Sequence, residues 1–297
     1  MTEYVLYLYA ESPVHTGAAG SLDVLDLPVQ REAATGYPVI WGQSLKGALR
    51  QAARNAGRDR SWPESRVAGV FGSAIQDQDE DSGKPGTLAV GDAQLIAMPV
   101  PTLRHTFAWL TSEIALGRLA RKYKTLELAA PAPPSVRSDG GICSSAAWTE
   151  ADDEVLGPCL VGFERPFSEQ LAEWAARIAA DALGEDEVFK PFADKLRADL
   201  VLVGADIVPV LLRECTEQAV RVQLHEDKKT VKEGPFYSEY LPAETIMAAS
   251  LTLRETGDTE DNRRALDELL NGLLQIGGDE TLGKGLMWGR LLKAGAA

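Results

Sequence analysis

The sequence lacks the cysteine pairs that zinc sites and disulfide frameworks use. Its three cysteines, Cys143, Cys159 and Cys215, are odd in number and widely separated along 297 residues. Structural zinc sites draw on closely spaced cysteines or histidines, and disulfide frameworks need an even set of cysteines. The pattern predicts neither, and we expect three small apolar side chains in a reducing compartment.

Long apolar runs and targeting signals are also missing. No segment reaches the roughly 18 apolar residues of a membrane-spanning helix, and the start of the chain, MTEYVLYLYAES, has no basic region of the kind that begins a signal peptide. No repeat of solenoid length is present. We therefore expect a cytoplasmic protein without membrane contact, and its 45% hydrophobic content is enough for a sizeable core.

Positive charge is scarce, since the formal net charge is −14. By itself this charge predicts repulsion from nucleic acid. The acidic residues are clustered in polar segments at 76–83, 150–154, 184–187 and 256–261, whereas basic residues collect at 117–124 and 226–234. Nucleic-acid binding by this chain would therefore require a locally positive face on an acidic molecule.

Hydrophobic periodicity predicts an α+β fold. Residues 3–10 are apolar on both faces, which is typical of a central strand covered on two sides. A helix is expected after Ser44, with Leu45, Leu49 and Ala52 on one face. Further expected elements are a strand pair or hairpin at 88–100 with a turn at Gly91–Asp92, helices at 168–184 and 187–197, a strand-like run at 198–215, a projecting hairpin at 219–242, a helix at 262–276 and a strand at 286–293.

Residues 278–284, GDETLGK, match a phosphate-binding loop except at its last position. Gly285 stands where that motif needs a Ser or Thr hydroxyl, and here a helix precedes the loop and a strand follows it, the reverse of the usual order. A nucleotide triphosphatase is therefore disfavoured. Two interpretations remain: backbone N–H groups and Lys284 contact phosphates, or the segment is a plain helix cap and turn.

Three segments together resemble the RAMP superfamily of CRISPR proteins: PVHTG (13–17), QSLKGALR (43–50) and IGGDETLGKGL (276–286). The shared features are an S-x-K-G entry to a helix and a C-terminal glycine-rich loop. The stretch LDLPVQREAATGYPVIWGQSLKGALR is most similar to the backbone subunits of type III-B (Cmr) effector complexes.

The resemblance implies a ferredoxin-like, RNA-recognition-type core with large loop and helical insertions and a β-hairpin thumb. It implies a single RAMP domain over 1–297, with the core at about 1–60, 88–115 and 200–297 and insertions at about 62–87 and 116–198. The implied partners are guide (CRISPR) RNA, single-stranded target RNA, further copies in a filament and other Cmr subunits. The implied activity is endoribonuclease cleavage of target RNA at regular intervals.

In RAMP backbone subunits the cleaving residue is an aspartate in the loop after the first strand, and that position falls on Asp26. Local sequence alone favours a turn residue before Pro28. The resemblance makes Asp26 the expected catalytic residue and the ligand of a loosely bound Mg²⁺ or Mn²⁺, with Asp23 as a solvated neighbour.

Other expected contributors flank this loop. His15 is assigned to guide-RNA binding first and to catalysis second. The remaining RNA-binding candidates are Lys46, Arg50, Gly277, Gly278, Gly283 and Lys284. Tyr237, Glu239 and Tyr240 partly match a Tyr/Glu-rich segment near the cleavage site, where Ser238 replaces an acidic residue. His105 and His225 have no assigned role.

Two alternatives stay open. The chain is either a filament subunit that binds RNA without chemistry, or a standalone metal-independent RAMP that releases guides from a precursor. In the first case the Asp26 loop would be only a spacer.

Overall fold

The computed structural model describes residues 1–18, 25–57, 61–73, 83–225, 227–228 and 230–295. In chain order the elements are β1 (Thr2–Ala10), β2 (Val39–Ile40), α1 (Gly42–Ala56), α2 (Glu64–Phe71), β3 (Leu88–Val90), β4 (Ala93–Pro101), β5 (Phe107–Thr111), α3 (Glu113–Thr125), β6 (Gly140–Cys143), β7 (Asp153–Leu156), β8 (Cys159–Phe163), α4 (Glu169–Ile178), α5 (Lys190–Asp199), β9 (Leu200–Val203), α6 (Val208–Glu214), β10 (Glu217–Leu224), β11 (Val231–Tyr240), β12 (Ile246–Leu253), α7 (Glu260–Leu270), β13 (Leu273–Gln275) and β14 (Leu286–Lys293).

The core is a four-stranded antiparallel sheet in the order β14-β1-β12-β4. Helix α1 joins the first of these strands in the chain to the second, and α7 joins the third to the fourth. Both helices pack on one face of the sheet through Leu45, Leu49, Leu266 and Leu270. This β-α-β-β-α-β arrangement is the ferredoxin-like core that the family resemblance implies.

Strand β1 lies at the centre of this core because its side chains are apolar on both faces. Tyr4, Leu6 and Leu8 pack against α1 and α7, whereas Val5 and Tyr7 pack with residues of α3, α4 and α5. Tyr4 through Ala10 are all buried. Since a strand side chain alternates between faces, only an apolar run can be buried on both, and the expectation of a doubly covered strand is confirmed.

The middle of the chain, from β5 to β9, contributes both helices and the strands that form the second half of the sheet. Strands β5, β9, β6, β8 and β7 extend the order beyond β4, with β5 parallel to β9. The helix expected at 168–184 is present as α4 and continues as a wider π turn over Ala179–Leu183, which Gly184 ends with a φ of +77°. The helix expected at 187–197 begins later, at Lys190.

The C-terminal leucine stripe is divided between a helix and a strand. Helix α7 ends at Leu270, and Leu273–Gln275 pairs with β14 as strand β13, so the helix expected to reach residue 276 was wrong at its end. Gly272 favours a break at this point. The strand-like run at 198–215 is likewise only part strand, because residues 208–214 form α6 with Pro209 in its first turn.

The region around α1 differs from the expectation in two details. Helix α1 begins at Gly42, whose N–H donates to Asp92 Oδ1 at 2.6 Å, so Ser44 lies inside the first turn and is not the cap. Two strands, β3 and β4, are present in the expected region, but they do not form a hairpin with each other, since both pair with β12. Gly91 and Asp92 therefore connect β3 to β4, and the two strands pair one after the other with β12.

Strands β10 and β11 form a separate two-stranded sheet, which confirms the expected hairpin. Its outer part exposes apolar side chains, among them Val220, Val222, Val231 and Phe236. The base of the hairpin is buried, from Ser238 to Tyr240 on β11. Within the described part of the chain, no helix combines the length and hydropathy that crossing a bilayer requires.

Candidate active site

Asp26 lies at the base of the hairpin, held against β11 by Tyr237. Asp26 and Leu27 donate their backbone N–H groups to the Tyr237 carbonyl, each at 3.1 Å. The Tyr237 N–H in turn donates to Asp26 Oδ2 at 2.8 Å, and Leu27 forms a parallel bridge with Ser238. Asp26 itself is exposed. Its carboxylate is thus fixed through one oxygen and open to solvent at the edge of the hairpin base.

Glu239 lies below this loop and is only 2% exposed. Its Oε1 accepts from Arg31 at 2.5 Å and from Thr216 Oγ1 at 2.9 Å, and its Oε2 accepts from the Val29 N–H at 2.9 Å. Three donors therefore occupy the carboxylate. These contacts suit a residue that holds the Asp26 loop to β11, and they leave no oxygen facing a substrate.

His15 lies between the hairpin base and the glycine-rich loop. Its Nδ1 is 2.8 Å from the Glu239 carbonyl, and its own carbonyl accepts from the Gly278 N–H at 2.9 Å. Because a carbonyl can only accept, Nδ1 carries the proton and Nε2 is the acceptor of the neutral ring. His15 is buried, with 8% of its surface exposed. A Cβ on Gly17 would lie 2.8 Å from Nε2, so glycine at this position leaves room for the imidazole.

The glycine-rich loop, residues 276–286, packs against strand β11 of the hairpin. Tyr240 donates its hydroxyl to Asp279 Oδ2 at 2.7 Å, and Lys284 Nζ lies 5.1 Å from the centre of the Tyr240 ring. Gly277 has a φ of +89° and a Cβ there would lie 2.3 Å from the His15 carbonyl oxygen. Burial, followed by the bond to Asp279, raises the pKa of Tyr240, so its hydroxyl stays a donor at neutral pH.

Lys46 and Arg50 lie on the face of α1 that meets β3 and Arg254. Lys46 Nζ donates to the Leu88 carbonyl at 2.8 Å, next to the β3 end. Burial and the charges of Arg254 and Arg50 lower the pKa of Lys46. Arg50 Nε is buried without a partner among the described residues. The three cations form a positive patch, but their contacts do not join it to the loop of Gly277 and Lys284.

Several residues of this site carry no sequence signal of their own. Arg31, Thr216, Arg221 and Asp279 all contact the hairpin base. All except Thr216 belong to segments that the sequence singles out, but none was itself predicted to contribute to the site. Asp23 lies outside the described residues. The His105 ring stacks on the Trp148 ring with their centroids 4.3 Å apart, which gives it a packing contact away from this site.

The site offers a divalent ion one carboxylate. Among the residues that the structure covers, no group of three or more His, Cys, Asp or Glu side chains converges as a ligand set. Mg²⁺ commonly binds through one or two carboxylates plus substrate phosphates and keeps several waters. Asp26 Oδ1 fits a loosely held ion that RNA phosphates help to bind, and it does not fit a protein cage.

Together the residues can position and activate a polar substrate. An exposed carboxylate, an imidazole acceptor and the N–H groups of a glycine loop surround the hairpin base. A carboxylate and an imidazole are the usual groups for proton transfer. The N–H groups of Gly278 and Gly283 already donate to the carbonyls of His15 and Glu280, so Lys284 supplies the loop's attraction for anions. The arrangement therefore suits chemistry at a phosphodiester.

A ferredoxin-like core with a glycine-rich loop and a hairpin beside it defines an RNA-recognition-type protein class. The model of the RAMP superfamily matches residues 7–288, and the chain belongs to that superfamily. One relative is the CRISPR system Cmr endoribonuclease Cmr4 of Pyrococcus furiosus. This chain is 30% identical to it over 297 residues, which cover 97% of the chain and 95% of the relative.

Solved structures agree with this relationship. The crystal structure of oligomeric Cmr4 from Pyrococcus furiosus matches with a TM-score of 0.72 and 25% identity, covering 99% of this chain and 98% of that one. A chain of the type III-B Cmr-beta complex in its apo state matches with a TM-score of 0.72 at 18% identity, covering 98% and 97%. The second match shows the shared fold alone.

Proposed function

We propose that this protein is the backbone subunit of a type III-B (Cmr) CRISPR effector complex and an endoribonuclease that cuts guide-paired target RNA. The homology to Cmr4 extends along nearly the whole chain. The observation that supports the catalytic part is the position of Asp26, an exposed carboxylate held at the base of the hairpin by Tyr237.

The proposed reaction uses the nucleophile that RNA itself carries. The 2′-oxygen attacks the adjacent phosphorus as its proton leaves, and the bond to the 5′-oxygen breaks. The products are a 2′,3′-cyclic phosphate and, once the 5′-oxygen takes a proton from water, a 5′-hydroxyl. Such a displacement requires the attacking oxygen, phosphorus and leaving oxygen in line. A hairpin that separates neighbouring target nucleotides would allow this alignment, which a stacked duplex prevents.

Asp26 takes the proton or orients the phosphodiester for attack. His15 binds the guide RNA beside the glycine loop, and its Nε2 is the second proton acceptor in the site. If Mg²⁺ or Mn²⁺ is bound, Asp26 Oδ1 would hold it, and the ion would offset negative charge on the phosphate. Glu239 and Tyr237 fix the Asp26 loop, and Tyr240 supports the glycine loop.

RNA binding by an acidic chain is proposed to occur within the assembly. The net charge of −14 disfavours free RNA. The loop of Gly277, Gly278, Gly283 and Lys284 would bind guide phosphates at the hairpin base through the Lys284 charge and the close approach that glycines allow, because the N–H groups of Gly278 and Gly283 already donate to backbone carbonyls. Lys46 and Arg50, with Arg254, would bind phosphates further along the filament, together with neighbouring copies and other Cmr subunits in the cytoplasm.

The test is target cleavage by a reconstituted complex of this chain, its sibling subunits and a guide RNA, with labelled target and Mg²⁺. Asp26→Asn keeps an oxygen for the Tyr237 N–H and removes the charge. We expect it to slow cleavage by about 100-fold or more, the usual effect of losing a proton-transfer group. Asp206→Asn, an exposed loop carboxylate elsewhere, is the matched control.

If Asp26→Asn cuts as fast as the parent at the same positions, Asp26 is not catalytic and the non-catalytic filament subunit is favoured. The guide-processing alternative predicts a different result. Cleavage of precursor repeat RNA by the isolated chain in EDTA would favour the metal-independent processing enzyme.

A further inference from the structure

An ion pair joins the hairpin to the glycine-rich loop. Arg221 on β10 donates from both terminal nitrogens to Asp279, at 2.9 Å to Oδ1 and 3.0 Å to Oδ2. The same guanidinium donates to Ser238 Oγ on the facing strand β11 at 2.7 Å. A two-pronged arginine–carboxylate pair fixes orientation as well as distance. The hairpin base is thus held to the loop in one geometry.

Asp279 also accepts from the second strand of the hairpin. The Tyr240 hydroxyl donates to Asp279 Oδ2 at 2.7 Å, so one carboxylate is bonded to both β10 and β11. Burial would raise the pKa of Asp279, but the bonds from Arg221 and Tyr240 and the charge of Arg221 outweigh it and hold the pKa below its usual range. The carboxylate is therefore charged at neutral pH.

The backbone of Asp279 is unusual for an aspartate. Its φ is +61°, in the left-handed region that glycine adopts more easily. Gly277, Gly278, Gly283 and Gly285 surround it, so glycine is common in this loop. Aspartate tolerates this conformation better than most residues but less well than glycine, so its presence here supports a role for the side chain.

Strand β11 connects this pair to the candidate catalytic residue. Tyr240 contacts Asp279, and Tyr237, three residues earlier on the same strand, holds Asp26. A shift of the hairpin base would therefore move Asp26 relative to RNA bound at the glycine loop. In other active sites a displacement of about 1 Å can lower a rate about 100-fold.

We propose that Asp279 and Arg221 are positioning residues that hold the hairpin base to the glycine-rich loop and so align Asp26 with RNA bound at that loop. The proposal rests on the proposed function for its link to cleavage. Asp279 and Arg221 act through Tyr240, Ser238 and β11, without touching the reacting atoms.

The experiment compares Asp279→Asn, Arg221→Gln and the double variant with the parent. Asparagine tolerates the left-handed backbone, so Asp279→Asn tests the carboxylate and not the conformation. Glu280→Gln, an exposed neighbour in the same loop, is the matched control. The first measurement, hydrogen exchange of residues 217–240 in the isolated full chain, needs neither RNA nor activity.

We expect each single variant to speed exchange at the hairpin base about tenfold and Glu280→Gln to leave it unchanged. In the assembled complex we expect cleavage at saturating target to slow about tenfold, while guide affinity changes less than about twofold. The double variant should be no slower than the slower single variant, because both changes remove one interaction.

Unchanged exchange and unchanged cleavage in the single variants would overturn the proposal. So would a slowing of cleavage that only parallels loss of folded protein or of guide affinity, since that is a structural effect. A parent complex that does not cut refutes the proposed function, and the exchange measurement still decides whether the pair holds the hairpin. If Asp279→Asn does not fold, the test relies on Arg221→Gln. Arg221 lies on β10, outside the core sheet, so its replacement should leave the fold intact.

Discussion

Replacement of Glu239 by glutamine should destabilise the protein strongly. The carboxylate is 3% exposed, and its partner Arg31 is 18% exposed. Arg31 and Thr216 donate to one oxygen, and the Val29 N–H donates to the other. Glutamine has one acceptor oxygen and one NH₂ group. Whichever way the amide turns, its NH₂ faces either the Arg31 guanidinium or the Val29 N–H.

The size of the loss follows from that conflict. One buried donor without a partner costs about 1 to 3 kcal/mol, and removing one member of a buried ion pair costs about 3 to 5 kcal/mol. Because Arg31 retains some contact with water, we expect about 3 kcal/mol, toward the lower end of the second range. Urea unfolding of the full chain, followed by circular dichroism, measures it.

Two further variants make the result specific. Glu268→Gln, on the exposed face of α7, should change the unfolding free energy by less than about 0.5 kcal/mol. Arg31→Met combined with Glu239→Gln should lose at least about 1 kcal/mol less than the sum of the two single variants. A loss below about 1 kcal/mol for Glu239→Gln, or full additivity, would refute the assignment of Glu239 as the buried anchor of the Asp26 loop.

Three other outcomes are expected from unfolding measurements. Burial raises the pKa of Glu244 to about 7. Between about pH 4.5 and pH 7 the folded state therefore holds a proton that the unfolded state has released. The contribution of this carboxyl to the free energy of unfolding falls as pH rises through that window. Glu244→Gln should therefore stabilise the protein at about pH 8 by about 1 to 2 kcal/mol and have no such effect near pH 4, and an equal change at both values would contradict the pKa. Gly277→Ala places a Cβ 2.3 Å from the His15 carbonyl at positive φ and should cost about 1 to 3 kcal/mol, whereas Gly272→Ala, whose Cβ meets nothing within 4 Å, is the control that should not. Thr259→Ala removes the hydroxyl that accepts from Asn262 N at the start of α7 and should lower stability by about 1 kcal/mol; no change in the urea midpoint would show that water replaces the cap.

Local pattern predicted the elements that depend on local physics. The doubly apolar run of β1 and the hairpin of β10 and β11 follow from alternation and length, and both are present. The predicted secondary structure was wrong where pairing with a distant segment decides it. Leu273 and Leu274 continue the leucine stripe of α7, yet they form β13 because β14 offers a strand edge beside them.

The candidate site shows the same division. Lys46 and Arg50 share a helical face, as their spacing predicts, but that face meets β3 and Arg254 rather than the glycine loop. Spacing fixes which residues share a face and leaves open which neighbour the face meets. The burial of Glu239 and its three donors had no local signal, because those donors come from residues 29, 31 and 216.

The sequence by itself determined that an aspartate stands in a loop after the first strand and that a glycine-rich segment precedes the last one. Only the tertiary structure decided their neighbours. Asp26 meets Tyr237, a residue 211 positions away, and Asp279 meets Arg221 across 58 positions. The reason is physical: whether a carboxylate anchors a loop, positions a hairpin or faces a substrate depends on the donors around it, and folding brings those donors from distant parts of the chain.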